Sequence, residues 1–335
     1  MVKSLITGVA GFVASHLAEY LLKKGEKVIG TYRWTEDMSR INHIKDKIEL
    51  IPVDLLDLSA CIRAIEETKP DYIYHLAAQS YVTDSFSNPR ITMETNTIGT
   101  LNLLEAIRIV REKEGWEEDV DGDYNWYYNP VIHICSSSEV YGQVKGEDIP
   151  IKETQPFNPS NPYAVGKIGA DMIALVYWKN YGIKTIRTRM FTHTGPGRTM
   201  MSAECNFAKQ IALIEARKQE PIIHHGNLES VRTWADVRDA VRAYYLLVRK
   251  CKPGEVYNIG GKTTKTIGEM LDYLISLSPM KDWIKKELDP KLIRKSDVTL
   301  QIPNCSKFIR ETGWQPTYTF EQTMQDLLDW WRENV

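Results

Sequence analysis

Tyr163 and Lys167 stand four residues apart in a segment, Tyr163 to about Tyr181, that predicts a strong helix, so both side chains face the same way. A phenol beside an ammonium is a proton-transfer pair. The positive charge stabilises the phenolate and lowers the tyrosine toward the working range, and the same lysine can hold a ribose. Alone, Tyr-x-x-x-Lys is common on helix surfaces. A second group joins it: Ser136-Ser137-Ser138-Glu139 follows a strand predicted at Val131–Cys135, and in an extended segment Ser137 and Glu139 point to one side. Ser137 can then hydrogen-bond an oxygen that Tyr163 deprotonates, while Glu139 reaches a neighbouring carbon. The plainer readings are a turn for the serines and a cap for the glutamate.

The elements that must position these groups begin at the N-terminus. Thr7-Gly8-x-x-Gly11-x-x-Ala14 follows a short strand, Ser4–Ile6, and opens a helix from Val13 to Lys24. The first glycine permits a tight turn, the second lets backbone approach a pyrophosphate, and the small third residue lets helix and strand pack closely. Phosphate would then meet free N–H groups at a helix start. Strands at Val28–Tyr32, Ile48–Val53, Tyr72–Leu76, Val131–Cys135 and Thr185–Met190 alternate with helices at Ile62–Thr68 and Thr97–Val110. That alternation predicts an α/β fold, a Rossmann-type doubly wound parallel sheet with a smaller mixed α/β substrate domain. Ligands of such sheets lie at the carboxyl ends of the strands, where Ser137 is expected. The second strand ends in Thr31-Tyr32-Arg33 rather than an acid. A cation suits a 2′-phosphate and points to NADP(H), with NAD and a solvated surface arginine as the alternatives. Asp54 is a candidate for the adenine amine or a simple loop cap.

A net charge of −2 gives no case for nucleic acid or an anionic membrane as partner. The apolar start is too short to span a bilayer and predicts a buried strand with its turn. The five cysteines form no C-x-x-C and pair with none of the seven histidines at metal-like spacing, so reduced thiols in a cytoplasmic protein and no metal are expected. Between Arg111 and Pro130, seven acidic residues sit with Trp116, Tyr124, Trp126, Tyr127 and Tyr128, which predicts an inserted surface loop or contact patch outside the sheet. Past Met190 the alternation fades, and Thr233–Leu247 is expected to be a helix returning to the large domain. The predicted division is 1–190, with a returning segment at about 230–260, for the dinucleotide, and 191–229 with 261–335 for the substrate.

As a set, Thr7–Gly11, Leu76-Ala77-Ala78-Gln79-Ser80, Gly99–Arg108, Ser137–Gly142, Ser160–Lys167, Gly226-Asn227-Leu228 with Arg232, and Gly313-Trp314-Gln315-Pro316 resemble the extended short-chain dehydrogenases/reductases. Within them the chain is similar to the GDP-mannose 4,6-dehydratases and GDP-4-keto-6-deoxymannose reductases. The resemblance implies a sugar-nucleotide 4,6-dehydratase acting on a GDP-hexose or GDP-heptose, with Ser137, Glu139, Tyr163 and Lys167 as its catalytic set. It further implies C4 oxidation, loss of water across C5 and C6 with Glu139 as base, and hydride return to C6. A GDP-4-keto-6-deoxy-sugar reductase and a non-catalytic dinucleotide-binding protein are the alternatives. Cofactor contacts are expected from Gly8, Gly11, Phe12, Val13, Arg33, Asp54, Leu55, Leu76, Ala77, Ala78, Tyr163 and Lys167. Ser80, Thr192, Lys209, Asn227, Arg232 and Arg294 are expected to bind the substrate. The family pattern Phe-Asn is here Phe191-Thr192, and a hydroxyl lacks the amide's two-sided pairing. A homodimer or homotetramer through the helices at Thr97–Val110 and Tyr163–Tyr181 is also implied.

Overall fold

The computed structural model describes residues 1–118, 124–293 and 298–335. β1 (Lys3–Thr7) leads through the glycine turn into α1 (Phe12–Lys23), β2 (Lys27–Tyr32) and β3 (Glu49–Pro52). α2 (Leu58–Thr68), started by the Asp57 side chain accepting the Ala60 N–H, returns the chain to β4 (Tyr72–His75). α3 (Val82–Ser87) and α4 (Pro89–Met93) pass through a π-helical turn, Glu94–Ile98, into α5 (Gly99–Glu114). β5 (Trp116–Glu118) and β6 (Tyr124–Trp126) pair as an antiparallel hairpin apart from the main sheet. β7 (Val131–Ser137), α6 (Pro162–Tyr181) and β8 (Thr185–Met190) follow.

The remaining elements are β9 (His193–Thr194), α7 (Ala203–Glu215), β10 (Ile222–His225), β11 (Val231–Asp236), α8 (Val237–Lys250), β12 (Val256–Ile259), β13 (Thr263–Thr266), α9 (Ile267–Ser276), β14 (Lys285–Leu288), β15 (Leu300–Gln301), α10 (Ser306–Thr312) and α11 (Phe320–Glu333). Seven parallel strands form one sheet in the order β3-β2-β1-β4-β7-β8-β12. Successive residues of a strand face opposite sides. Leu5, Ile29 and Ile73 therefore enter the core under α2, α5 and α6, while Ile6, Val28 and Tyr74 enter the core under α1 and α8. A third core of Phe207, Ile211, Trp234, Leu271, Phe320 and Leu327 joins α7, α9 and α11 to β11. No helix among the described residues is long and apolar enough to cross a membrane.

Three expectations change. Thr233–Asp236 is not helical, because Thr233 and Trp234 pair antiparallel with β13 while Ala235 and Asp236 pair parallel with β9; the helix starts only where Asp236 accepts the Arg238 N–H. Arg111–Glu114 belongs to α5, not to the insertion. The Arg111 guanidinium is buried, donates to the Tyr181 carbonyl at 2.6 Å and lies 4.0 Å from the centre of the Trp126 ring, so the hairpin covers it. Residues 119–123 of that insertion lie outside the described residues.

The third change bears on the site. The backbone leaves the extended conformation after Ser137 and forms a 3-10 turn at Ser138–Tyr141 that ends on Gly142 at φ +56°. A Cβ on Gly142 would lie 1.6 Å from the Asn158 carbonyl oxygen, so this turn and the loop entering α6 approach more closely than any side chain allows. Gly142→Ala is expected to cost more than about 2 kcal/mol of stability, since it combines a left-handed φ with a backbone clash. A urea-unfolding midpoint unchanged from wild type would contradict that packing.

Candidate active site

The carboxyl ends of β1, β2, β4 and β7 open onto one cavity of about 810 Å³. Its floor is set by Thr7, whose hydroxyl accepts the N–H groups of Leu76 and Ala77 at 3.1 and 3.0 Å and so ties the end of β1 to the end of β4. Gly8 takes φ +65°, and a Cβ there would meet Cα and Cβ of Ala77 at 3.0 Å. Only glycine lets the turn sit this close to the next strand.

Gly11 precedes the first turn of α1 without a side-chain cap, and that turn carries no acidic residue, so its N–H groups are left for an anion. Phe12 and Val13 line the cavity beside it. At the far edge Arg33 and Arg40 both line the wall below β2, Arg40 donating from Nε to the Gly197 carbonyl at 3.1 Å. Asp54 and Leu55 close that edge; Asp54 Oδ1 accepts the Leu56 N–H at 2.9 Å, the loop-cap role, while still bordering the cavity. Leu76, Ala77, Ala78 and Ser80 form the opposite wall. An uncapped helix start at one end and two guanidinium groups at the adenosine edge fit a dinucleotide carrying an extra phosphate.

Ser137, Tyr163 and Lys167 meet at the other end. Asn161 starts α6 by accepting the Ala164 N–H at 2.8 Å, with Pro162 at the first helical position, which turns Tyr163 and Lys167 toward β7. The Lys167 amine donates to the Cys135 carbonyl at 2.8 Å and stands 5.9 Å from the Tyr163 ring centre. Burial draws that amine below its ordinary value. The Tyr163 phenol hydrogen-bonds Ser137, yet burial outweighs this bond and the Arg198 charge and holds the phenol above its ordinary value. From the four-residue spacing alone, the lysine is expected to lower the phenol. In the ligand-free chain the net direction is upward, because desolvation of the anion is the larger effect and Lys167 is engaged with a backbone carbonyl.

Glu139 lies in the turn after Ser137, close enough for its charge to act on the Tyr163 phenol. Its carboxylate is not part of the cavity lining and is held by Asn161 and Gln301. Thr192 also stands off the cavity, with its carbonyl accepting the Ala235 N–H at 3.0 Å. Lys209 on α7 points to Met200 at 3.3 Å and over the Trp331 ring at 5.4 Å, away from both cavities. Asn227 lines a second, open cavity of about 470 Å³ with Gly226, Leu228 and Leu288. Arg232 is buried on β11 and donates to the Val231 carbonyl at 2.9 Å. Arg294 lies outside the described residues.

Sequence reasoning missed several lining groups. Arg40 falls in a stretch without periodicity, and nothing marks it. Arg198 follows Gly195-Pro196-Gly197, a turn signature that could have flagged it, and it pairs with buried Glu204 at 3.0 Å. His193 lines the cavity and is pulled down to about 4, by burial first and Arg198 second, so it is neutral there at neutral pH. Asn161 had a legible signal as an Asn-Pro helix start. No group of three or more metal-ligating side chains that could hold an ion occurs among the described residues.

A parallel sheet covered on both faces, with a glycine turn at its switch point and serine, tyrosine and lysine meeting beside it, defines an extended short-chain dehydrogenase/reductase. Residues 5–327 match the family model described as GDP-mannose 4,6 dehydratase, and the chain belongs to that family. The GDP-mannose 4,6-dehydratase of Yersinia enterocolitica is 32% identical over 98% of this chain and 93% of its own length. The GDP-6-deoxy-D-mannose reductase of Pseudomonas aeruginosa is 29% identical over 98% of this chain and 97% of its own. The solved structure of RMD from Pseudomonas aeruginosa complexed with NADPH matches at a TM-score of 0.81 and 27% identity, covering 100% of both chains.

Because burial dominates, Tyr163 is expected to stay protonated at pH 10, its ordinary midpoint, in the ligand-free protein. The ultraviolet difference between wild type and Tyr163→Phe should show no tyrosinate there. A tyrosinate signal well below pH 10 would mean that the lysine controls the phenol after all.

Proposed function

We propose that this chain is a sugar-nucleotide 4,6-dehydratase acting on a GDP-hexose such as GDP-mannose, or on a GDP-heptose. The observation that carries the reading is the position of Glu139: a carboxylate two residues after Ser137, near the Tyr163 phenol and held in one orientation. Oxidation or reduction at C4 needs no such group, whereas elimination needs a base at C5.

The cofactor is NADP(H), with NAD as the alternative, held by the α1 start, Arg33, Arg40 and Lys167. A nicotinamide bound here supplies the hydride acceptor for C4 and the hydride donor for C6. The chain's own residues move the protons. Ser137 and Tyr163 share the C4 oxygen, and Tyr163 takes its proton. Burial keeps the free phenol protonated, so its base form depends on positive charge in the cavity, for which Lys167 and Arg198 are the nearby cations. The C4 ketone acidifies the C5 proton, Glu139 removes it, and the C6 hydroxyl leaves as water on the proton that Glu139 has taken. Hydride return to C6 and a proton from solvent to C5 complete the 6-deoxy-4-keto sugar, while Tyr163 releases its extra proton to solvent.

Residues 1–190, with the segment at about 230–260, hold the dinucleotide, and 191–229 with 261–335 hold the sugar nucleotide. Arg232 and Arg294 take the diphosphate and nucleoside, assisted by Asn227, while Ser80 on the cavity wall faces the hexose; Thr192 and Lys209, which stand off the cavities, take no part. Exposed Ile98, Val165, Val176 and Tyr181 on the π-helical turn and α6 support association of copies through these helices as a homodimer or homotetramer. The five free cysteines support a reducing compartment, the cytoplasm.

The test is incubation with GDP-mannose, and separately a GDP-heptose, without added reduced cofactor, followed by NMR of the sugar. A 6-deoxy-4-keto product from wild type and a loss of about 100-fold or more in Glu139→Gln are expected. Consumption of reduced cofactor with a 4-keto sugar, and none of that product, would select the reductase instead. That reading draws on the Pseudomonas reductase among the relatives.

A further inference from the structure

Gln301 lies on β15, 162 residues along the chain from Glu139, and its side chain is buried. Its Nε2 donates to Glu139 Oε1 at 3.1 Å, and its Oε1 accepts from the Ser138 hydroxyl at 3.2 Å. The other Glu139 oxygen accepts from Asn161 Nδ2 at 3.0 Å. Asn161 is the residue that starts α6, so one grip on the carboxylate comes from the helix carrying Tyr163 and Lys167. The other comes from β15, where Gln301 sits opposite Arg232 in the ladder with β11.

An ionised carboxylate is an acceptor with about four lone-pair sites. Two amide donors occupy one site on each oxygen and leave one on each for a proton from carbon. Being neutral, they fix the direction of the carboxylate without cancelling its charge. The arrangement at Gln301 needs a primary amide, since one end accepts from Ser138 while the other donates to Glu139. An apolar side chain of the same length supplies neither bond, and a carboxylate would set two like charges together.

We infer that Gln301 is a positioning residue for the elimination step. It holds the Glu139 carboxylate beside Tyr163 and ties that base to the strand pair carrying Arg232, the residue proposed for the diphosphate. The inference rests on the dehydratase reading above and deepens it. C4 oxidation uses Ser137, Tyr163 and Lys167 and has no need of the clamp; removal of the C5 proton does. Loss of Gln301 therefore separates two half-reactions that run together in the intact enzyme.

The experiment compares wild type, Gln301→Met and Gln301→Glu with GDP-mannose, reading 6-deoxy-4-keto product by NMR and reduced nicotinamide by absorbance within one turnover. Gln301→Met is expected to lower kcat roughly 10- to 100-fold, the worth of one hydrogen bond to a charged group, with KM within about threefold. Reduced nicotinamide should accumulate because oxidation outruns elimination. Gln301→Glu should be as slow at neutral pH but recover as the pH falls, when the introduced carboxyl is protonated and can donate again. A defect that merely loosens the fold would produce neither the accumulation nor the acid recovery. Turnover of Gln301→Met within about threefold of wild type overturns the inference. So does equal loss of oxidation and product formation in both variants with no acid recovery. A wild-type chain that forms no product overturns the dehydratase reading, and this inference with it.

Discussion

The hydrogen bond from the Lys167 amine to the Cys135 carbonyl fixes α6 against the end of β7, and the site depends on it. It is the middle of three contacts spaced four residues apart on one helix face. One turn earlier Tyr163 bonds Ser137, and one turn later buried Asp171 pairs with Arg187 and Arg189 of β8 at 2.9 Å each. A helix held at three successive turns cannot rotate, so the phenol faces the serine without further adjustment. The same network reaches the turn that carries Glu139. Arg189 donates to the Tyr141 hydroxyl at 3.1 Å, and that hydroxyl donates to Asn258 Oδ1 on β12 at 2.7 Å. Breaking a buried ionic network of this kind costs more than making it gains, since the remaining charge is left without a partner.

The sheet then brings the second half of the site to the first. β4 lies between β1 and β7, and the Thr7 hydroxyl locks the ends of β1 and β4 in register. The uncapped start of α1 and the Ser–Tyr–Lys group thus share one cavity, one end suited to phosphate and the other to proton transfer. The protonation state of the resting site follows from burial. Phenol and amine are both pushed toward their neutral forms, the phenol upward and the amine downward. Charge brought into the cavity, rather than the lysine alone, has to activate the phenol.

Much of this was legible in the residues. The glycine turn, the alternation of strands and helices, and the four-residue spacing of Tyr163 and Lys167 are local patterns, and local patterns survive translation into structure. The turn after Ser137 was read as extended because serine runs fit both states; the close approach of Gly142 to Asn158 decides it. Thr233–Asp236 of β11 reads as helix in sequence because its pairing partners, β13 and β9, lie about 30 to 40 residues away and leave no mark on its own composition. Gln301 escaped for the same reason: its importance comes from a contact that no window of sequence contains. The hairpin at β5 and β6 was recognised as foreign to the sheet, but the buried Arg111 that it covers was assigned to the insertion instead of the helix.

The central claim is that one cavity removes a hydride from C4 of a GDP-sugar and gives the same hydride back at C6 while Glu139 handles the proton between. GDP-mannose labelled with deuterium at C4 tests it directly. The account predicts that the label appears at C6 of the 6-deoxy-4-keto product, even when unlabelled oxidised and reduced cofactor are present in excess in solution. Label found instead in the free cofactor pool, or a product with ordinary hydrogen at C6, would contradict it.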